Sequence, residues 1–410
     1  MNRRDFLIFT GISSSVLAYI QSCSSTGGLS NSRHLVDTPE KREQYLAKLL
    51  KELCTDLGPH PIGSPAMKKA EEIVKREMER SLPFVELDTF TFERWVLHGE
   101  PELNIGDRKV ESYPGHGTLG APPEGITGTI INIDDEGGII YGVQDTNEEI
   151  VAYISMKEYI KAVPLPFYSF KKTVKSLPTF HVGTENRSVI EDAIEKLTPV
   201  KLYADVEFFP NTPTSNVVGT LPGKSSDEIV FLAHLDTVYN SQGANDNTAS
   251  VIVMIILAHA LSGTQPKKTM TFIATTGEEY DKLGAINYVE NRKKAGTLQN
   301  IKYIVNFDSL TWGPNMQIAT KDEELRSLID TIDRELKLDG TPTLLDHDGF
   351  QLDARPFRET GARAMYVNSR GYTNEIVWHR PEDTPETVPV DCAEIGFRMF
   401  YEYIKRIQEL

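Results

Sequence analysis

From Ser215 to the end of the chain, short apolar runs alternate with helix-like stretches. "DEIVFLA", "TMTFIAT" and "IKYIVNF" have the length and composition of buried strands, and "NTASVIVMIILAHALSG" and "LGAINYVENRKKAG" separate them as helices. Strands that alternate with helices in this way form a sheet that is mainly parallel and covered on both faces. The sequence therefore predicts an α/β fold with a mixed, mainly parallel sheet flanked by helices on both faces.

Side chains that can bind metals follow the predicted strands at five successive loop positions. In open α/β sheets, ligands bind outside the carboxyl ends of the strands, so residues in these loops are expected to meet at one edge. A chance distribution would have to place all of these acids at one edge and leave their charges unpaired. In chain order the candidates are His234, Asp236, Asp246, Glu278, Glu279, Asp308 and His379.

The chemistry of these side chains favours zinc. Imidazole and carboxylate ligands without thiolate suit Zn²⁺, and Mn²⁺ or Co²⁺ are alternatives. One open catalytic zinc needs three protein ligands and a water, and this chain offers candidate ligands at five loop positions. Two metal ions that share a carboxylate fit that number better.

Composition narrows the class of partner. The chain has 410 residues, of which 40% are hydrophobic, and this is enough for one large domain or two ordinary ones. The formal charge of −16 argues against nucleic acid as a partner, because binding to a phosphate backbone needs clustered Lys and Arg.

Five ordered motifs resemble those of a known enzyme family. "FLAHLDTV", "GANDNTAS", "TTGEEYDKLGA", "NFDSL" and "WHRPEDT" look like the motifs of the di-zinc aminopeptidase family of zinc-dependent exopeptidases. That family also contains glutamate carboxypeptidases, and the glutaminyl cyclases are relatives. The resemblance covers roughly residue 41 to the C-terminus. It implies a zinc-exopeptidase, phosphorylase/hydrolase-like fold, two Zn²⁺ per chain and hydrolysis of the terminal bond of short peptides, most simply as an aminopeptidase.

The resemblance also implies a role for each matched residue. His234 and Asp308 would bind the first zinc, Glu279 and His379 would bind the second, and Asp246 would bridge the two.

Two further roles and one backbone feature follow from the same resemblance. Asp236 would orient the His234 imidazole through its other ring nitrogen. Glu278 would take a proton from the attacking water and pass it to the leaving amine. The peptide bond between Asp246 and Asn247 is expected to be cis.

The middle of the chain differs from its surroundings. Gly- and Pro-rich turns separate short β-like runs, and "NRSVIEDAIEKL" is the one helix-like piece. We expect a small β-rich insertion at 106–210 within a zinc peptidase domain formed by 41–105 and 211–410. The segment "LPTFHVGTENRSVIEDAI" resembles a protease-associated domain, which would roof the cleft and help to limit substrates to short peptides.

The N-terminus has the pattern of an export signal. Arg3 and Arg4 precede a modest apolar run that ends at Ile20-Gln21-Ser22-Cys23, which resembles a twin-arginine signal with a lipobox. We expect residues 1–22 to be removed, Cys23 to carry a lipid as the only membrane contact, and 23–40 to act as a linker. The protein would then be a periplasmic or cell-surface lipoprotein. An uncleaved N-terminal anchor is the alternative.

Several functional alternatives stay open at this point. A carboxypeptidase would use an arginine for the substrate carboxylate, and Arg355, Arg358, Arg363, Arg370 and Arg380 all lie in the C-terminal third. A glutaminyl cyclase of the same fold would use one zinc. The alternative from another functional class is a non-catalytic binding ectodomain, but such proteins have lost metal ligands that this chain keeps.

Other residues have no assigned chemistry. Some family members have an oxyanion-stabilising Tyr directly before the last His, and here that residue is Trp378, with Tyr372, Arg370 and Arg380 as other candidate donors. Cys54 and Cys392 show no metal-binding spacing and are expected to be buried thiols. The remaining histidines are expected to be solvated or to pack in the core; they are His34, His60, His98, His116, His181, His259 and His347.

Overall fold

Fourteen strands join into one continuous sheet in the part of the chain that the structure describes. The structure is a computed structural model that describes residues 32–133, 139–156, 161–166, 177–338, 342–370 and 377–410. In chain order the strands are β1 (Phe84–Ile105), β2 (Arg108–Lys109), β3 (Ser112–Pro114), β4 (Ile126–Ile133), β5 (Ile139–Gln144), β6 (Ile150–Met156), β7 (Thr179–Val182), β8 (Pro199–Leu221), β9 (Ser225–His234), β10 (Lys268–Thr275), β11 (Ile301–Phe307), β12 (Asn315–Ala319), β13 (Thr343–Leu345) and β14 (Arg363–Arg370).

The centre of the sheet is parallel, as the alternation of strands and helices predicts. Strands β14, β11, β9 and β10 lie side by side in that order and all run in the same direction. Antiparallel strands flank them, with β12 beside β14 and β8 beside β10. The prediction of a mixed, mainly parallel sheet is confirmed in these central strands, and the antiparallel strand β12 ("NMQIA") was not predicted.

Helices cover both faces of this central sheet. They are α1 (Pro39–Leu50), which continues as a wider turn to Asp56, α2 (Pro65–Glu79), α4 (Ala249–Leu261), α5 (Leu283–Lys294), α6 (Glu323–Leu336) and α7 (Val390–Ile407), whereas α3 (Arg187–Lys196) lies in the insertion. Side-chain caps fix several helix starts: Thr38 accepts from the backbone N–H of Lys41, and Ser64 from that of Met67. These helices begin where Thr or Ser precedes Pro, as capping chemistry predicts.

Two apolar cores lie on opposite faces of the central strands. One core packs α1, α2, α4, α6 and α7 around alternate residues such as Phe231, Phe272 and Phe307. The other packs α5 and the helical turn Leu352–Thr360 against the intervening residues, such as Leu232 and Ile304. The strands are therefore buried on both faces, which explains their nearly continuous apolar sequences.

Helix α4 explains the most apolar stretch of the chain. The segment Ala244–Leu261 is long and apolar enough to cross a membrane, yet 94% of it is buried inside the fold. It packs under the sheet against α1, α2 and α7. Its composition is therefore that of a core helix in a large α/β domain.

The insertion has a core of its own but shares the sheet. Strands β4 to β7 and α3 surround a separate apolar cluster that includes Leu103, Ile154 and Phe180. The two long strands β1 and β8 pair antiparallel along most of their length and carry the sheet from the central strands into this cluster. The predicted domain limits stay predictions, since β8 passes through the limit at 210 and 211 without a break.

The described end of the predicted linker 23–40 is already part of the fold. Residues Ser32–Leu35 form a short helical turn, and the buried Ser32 lies 3.0 Å from a ring nitrogen of His259. Residues 1–31, with Arg3, Arg4 and Cys23, lie outside the described residues.

Candidate metal centre

The three central strand ends bring the predicted site residues together. His234 is the last residue of β9, Asp308 directly follows β11, and Glu278 and Glu279 follow β10 after a two-residue turn. Because β9 lies between β10 and β11, these loops leave the same edge of the sheet side by side. The predicted convergence at the carboxyl ends of the strands is confirmed.

Asp246 lies between two groups of possible ligands. Its Oδ1 atom is 3.2 Å from Nε2 of His234, which is also 3.9 Å from Oδ2 of Asp308. Its Oδ2 atom is 3.5 Å from Nε2 of His379, which is 3.0 Å from Oε2 of Glu279. The two oxygens of one carboxylate therefore face two different histidine–carboxylate pairs.

The two adjacent glutamates have different environments. Glu279 is buried against His379, whereas Glu278 keeps part of its surface exposed. Both also come close to His234, since ligand atoms of these three residues lie within 4.8 Å of one another. Glu278 is therefore the more accessible of the two glutamates.

Asp236 contacts His234 and the turn that carries the two glutamates through different atoms. The Nδ1 atom of His234 lies 3.0 Å from the main-chain oxygen of Asp236, and 3.9 Å from its carboxylate. The carboxylate instead accepts from the backbone N–H groups of Glu278 and Glu279, at 3.2 and 3.3 Å. Asp236 thus contacts the other ring nitrogen of His234, as expected, and it does so through its main-chain oxygen, while its carboxylate holds the turn that carries both glutamates.

The loop that carries Asp246 is held by a residue that the sequence analysis did not single out. The carboxylate of Asp383 accepts from the backbone N–H groups of Asn245 and Asp246, at 2.9 and 3.1 Å. Gly243 precedes this loop at φ +60°, where an added Cβ would lie 2.4 Å from a Thr237 methyl group. Asp383 could have been suspected from its place four residues after His379.

The peptide bond between Asp246 and Asn247 is cis, as the family resemblance implied. The Asn247 amide donates to the main-chain oxygen of Phe307 at 2.9 Å and accepts from the backbone N–H of Ser309 at 3.0 Å. Asn247 thereby connects the Asp246 loop to the turn that carries Asp308.

The buried carboxylates are short of positive charge. Burial raises the pKa of Asp308 to about 8, and the Asp246 charge adds to the effect. Burial also raises the pKa of Asp236 to about 7 and that of Glu278 well above its usual range. Burial opposes protonation of His234, yet its hydrogen bond to Asp246 and the charge of Asp308 raise its pKa well above the ordinary value. Such a group of acids favours a cation at its centre.

The donor set fits divalent metal ions. Ligands of a tetrahedral zinc at about 2.0–2.2 Å lie roughly 3.3–3.6 Å from one another. The four Nε2–carboxylate distances around Asp246 range from 3.0 to 3.9 Å, which brackets that spacing. The structure thus brings all five predicted ligands together, and their individual roles stay predictions.

This crowding predicts how the metal-free protein responds to pH. The folded-state pKa values of about 7 for Asp236 and about 8 for Asp308 lie above the value of 3.8 for a free Asp, so the folded state binds protons that the unfolded state releases. That stabilisation is complete below about pH 4 and is lost as the pH rises through about 7 to 8. We expect the chelator-treated protein to have a lower Tm at about pH 8.5 than at about pH 6.5, and Zn²⁺ to restore it.

Thermal unfolding by circular dichroism at both pH values, with and without zinc, measures this difference. The lower limit of pH 6.5 avoids the range in which the buried His116, whose pKa burial lowers to about 3, begins to destabilise the folded state. An equal or higher Tm of the stripped protein at the higher pH would contradict the expectation.

The structure assigns other contacts to the described residues that were considered as oxyanion donors. Arg380 is committed to Glu111 and Glu382, and Tyr372 lies outside the described residues, as does the side chain of Arg370. Trp378 stacks on the His379 ring with centroids 3.8 Å apart.

Tyr366 of β14 is a residue that the sequence analysis missed. It pairs in register with Asn306, two residues before Asp308, and is partly buried. Burial and the charges of Asp308, Asp246 and Glu278 raise its pKa, so its phenol stays a neutral hydrogen-bond donor beside these carboxylates.

The remaining predicted packing residues behave as expected. Cys54 and Cys392 are both buried and form no disulfide. His60, His116, His181 and His259 are buried in the core, while His98 is largely exposed.

Fold and site together define an α/β metalloenzyme with a buried, acid-rich centre at the carboxyl edge of a parallel sheet. Residues 216–402 match the model of peptidase family M28. This part of the chain is similar to that family, and the chain is a metallopeptidase.

Individual relatives extend over most of the chain. Aminopeptidase YwaD of Bacillus subtilis is 23% identical over 400 residues, which cover 89% of this chain and 86% of that protein. Human carboxypeptidase Q is 21% identical over 323 residues, 68% of each chain. The structure of BSAP, a zinc aminopeptidase from Bacillus subtilis, superposes with a TM-score of 0.68 at 20% identity, over 89% of this chain and 95% of that one. This last likeness shows a shared fold.

Proposed function

We propose that the chain is a two-zinc aminopeptidase that removes N-terminal residues from short peptides. The observation that carries this proposal is the position of Asp246, whose two carboxylate oxygens face two separate histidine–carboxylate pairs. His234 and Asp308 would bind one zinc, Glu279 and His379 the other, and Asp246 would bridge them. A complete ligand set argues against a binding ectodomain.

When bound, the two ions would lower the pKa of water and polarise the scissile carbonyl. Glu278 is the partly exposed base beside them, held in place because the Asp236 carboxylate accepts from its backbone N–H. Its carboxylate takes one proton from the attacking water as the C–O bond forms. It then gives that proton to the leaving amine as the C–N bond breaks.

Charge favours an aminopeptidase over a carboxypeptidase. Two divalent ions would neutralise four of the six negative charges that cluster here, leaving a site that attracts an ammonium group more than a carboxylate. The six carboxylates are those of Asp236, Asp246, Glu278, Glu279, Asp308 and Asp353.

Most of the arginines that a carboxypeptidase would use for the substrate carboxylate pair with other acids. Arg358 pairs with Asp348, and Arg363 pairs with Asp322 at the opposite end of β14. Arg380 pairs with Glu111 and Glu382, and Arg355 lies on the surface. The likeness to carboxypeptidase Q keeps that activity as the second candidate.

The proposal is tested with a panel of matched peptides. Each peptide is offered with a free N-terminus, with an acetylated N-terminus and with an amidated C-terminus, and the purified protein is assayed for zinc. We expect about two zinc ions per chain, cleavage of the free-amine and amidated peptides, and no cleavage of acetylated ones. Cleavage of acetylated peptides that have a free carboxylate would establish the carboxypeptidase instead. One zinc with cyclisation of N-terminal glutamine would indicate a cyclase.

We also propose that the protein is exported and held at the membrane by a lipid on Cys23. The support is the twin arginine Arg3-Arg4 and the Ile-Gln-Ser-Cys ending. With Cys23→Ser, the protein is expected to move from the membrane fraction to the soluble fraction; if it remains in the membrane, an uncleaved anchor holds it.

A further inference from the structure

The last predicted ligand is held by the insertion. Nδ1 of His379 lies 2.7 Å from the main-chain oxygen of Pro164. A carbonyl oxygen only accepts, so Nδ1 carries the proton and the lone pair of Nε2 faces Glu279 and Asp246. The orientation and tautomer that a metal ligand needs are therefore set from outside the peptidase domain.

The other histidine is supported differently. Nδ1 of His234 donates to the main-chain oxygen of Asp236, two residues away in the same loop. The support of His234 is thus local, whereas that of His379 comes from a residue 215 positions earlier in the chain. A displacement of the insertion should therefore change metal binding at His379 more than at His234.

Arg380 fastens the insertion to the ligand loop. Its buried guanidinium donates from Nη1 to the main-chain oxygen of Ala162 at 2.7 Å and from Nη2 to Oε1 of Glu111 at 3.0 Å. On the other side of the same segment, the backbone N–H of His116 donates to the main-chain oxygen of Leu165 at 2.9 Å. Hydrogen bonds from Arg380 and His116 therefore hold residues 162–165 in place, and the Pro164 carbonyl oxygen lies against Nδ1 of His379.

We propose that Arg380 is a positioning residue that ties the insertion to the metal centre, so that retention of the ion at His379 and Glu279 depends on the insertion. This inference rests on the proposed two-metal function. The insertion is then part of the metal site and not only a cover over the cleft. The ion at His234 and Asp308 should depend on Arg380 much less.

The test compares zinc retention in matched variants. Arg380→Met keeps the long apolar stem and removes the forked donors. The control is Glu382→Gln, which alters the other carboxylate partner of Arg380, exposed and outside the insertion. Competition with a zinc chelator resolves the two sites. We expect Arg380→Met to weaken one of them by about 10- to 100-fold, with the second site and Glu382→Gln unchanged.

Three further variants make each result decisive. His379→Ala should lose the same site, and adding Arg380→Met to it should weaken that site no further. Arg380→Lys, which keeps the charge, should restore part of the affinity. Glu111→Gln removes one charged partner at a half-exposed position and should weaken the same site by less, so it carries the test if Arg380→Met does not fold.

The outcomes separate this inference from the proposed function. If the wild-type protein binds no zinc, or if His379→Ala leaves both sites intact, the proposed function fails. If His379→Ala loses one site while Arg380→Met and Glu111→Gln keep both at unchanged affinity, only the role of Arg380 fails. Equal weakening of both sites would also overturn it, since that pattern reports a general loss of structure.

Discussion

Replacing Glu278 with glutamine is expected to lower kcat by about 10²- to 10⁴-fold while both zinc ions stay bound. The amide keeps the size of the side chain but has no lone pair basic enough to take a proton from water. The backbone N–H of Glu278 still donates to the Asp236 carboxylate, so the turn should keep its shape. Steady-state kinetics on a free-amine peptide, together with zinc analysis, measure the two effects separately.

The neighbouring residue gives the sharpest comparison. Glu279 is buried with its carboxylate 3.0 Å from Nε2 of His379, so Glu279→Gln should lose zinc as well as activity. Glu290→Gln, at an exposed position of α5, changes the same functional group away from the site and should change neither. Full activity of Glu278→Gln with its zinc retained would remove Glu278 from the mechanism.

Asp236 shows why two adjacent acids can serve one site. Its two carboxylate oxygens accept from the two consecutive N–H groups of Glu278 and Glu279. This fixes the turn so that Glu279 lies against His379 while Glu278 keeps part of its surface exposed. That difference in surroundings is what the separate roles proposed for the two glutamates require.

The placement of the site was predictable because it follows from periodicity and topology. Apolar runs marked β9, β10 and β11, and parallel strands must end at one edge, so the residues after them had to converge. The family motifs then implied the cis bond at Asp246, and the structure has it. Helix α3 of the insertion was predicted from its own spacing.

The features of the site that the sequence did not predict depend on backbone atoms and on contacts between residues far apart in the chain. The carbonyl oxygens of Asp236 and Pro164 orient the two histidines, and a carbonyl oxygen has no residue type to mark it. The contact between Pro164 and His379 joins positions 215 residues apart in the chain, which local patterns do not connect. Strand β12 is short, and its antiparallel pairing with β14 is set by the sheet and not by its own sequence.

Because Asp246 lies between the two ligand pairs, replacing it with asparagine is expected to lower both zinc content and activity. In Asp246→Asn, one carboxylate oxygen becomes an amide nitrogen, which donates and cannot bind a metal. Its backbone N–H still donates to Asp383, so the loop should keep its support. We expect zinc content to fall below two per chain and kcat/KM to fall by about 10³-fold or more, because losing several kcal/mol of charge stabilisation costs a factor of ten for each 1.36 kcal/mol.

The loss at Asp246 should also appear in stability, which does not depend on a substrate. A ligand that binds only the folded state raises Tm, and two bound ions raise it more than one. Added zinc should therefore raise the Tm of Asp246→Asn by less than that of the wild-type protein. Asp107→Asn, on an exposed turn in the insertion, is the matched control and should behave as wild type. If Asp246→Asn kept two zinc ions and full activity, Asp246 could not be the bridge, because each of its oxygens faces a different histidine and only one oxygen remains in the variant.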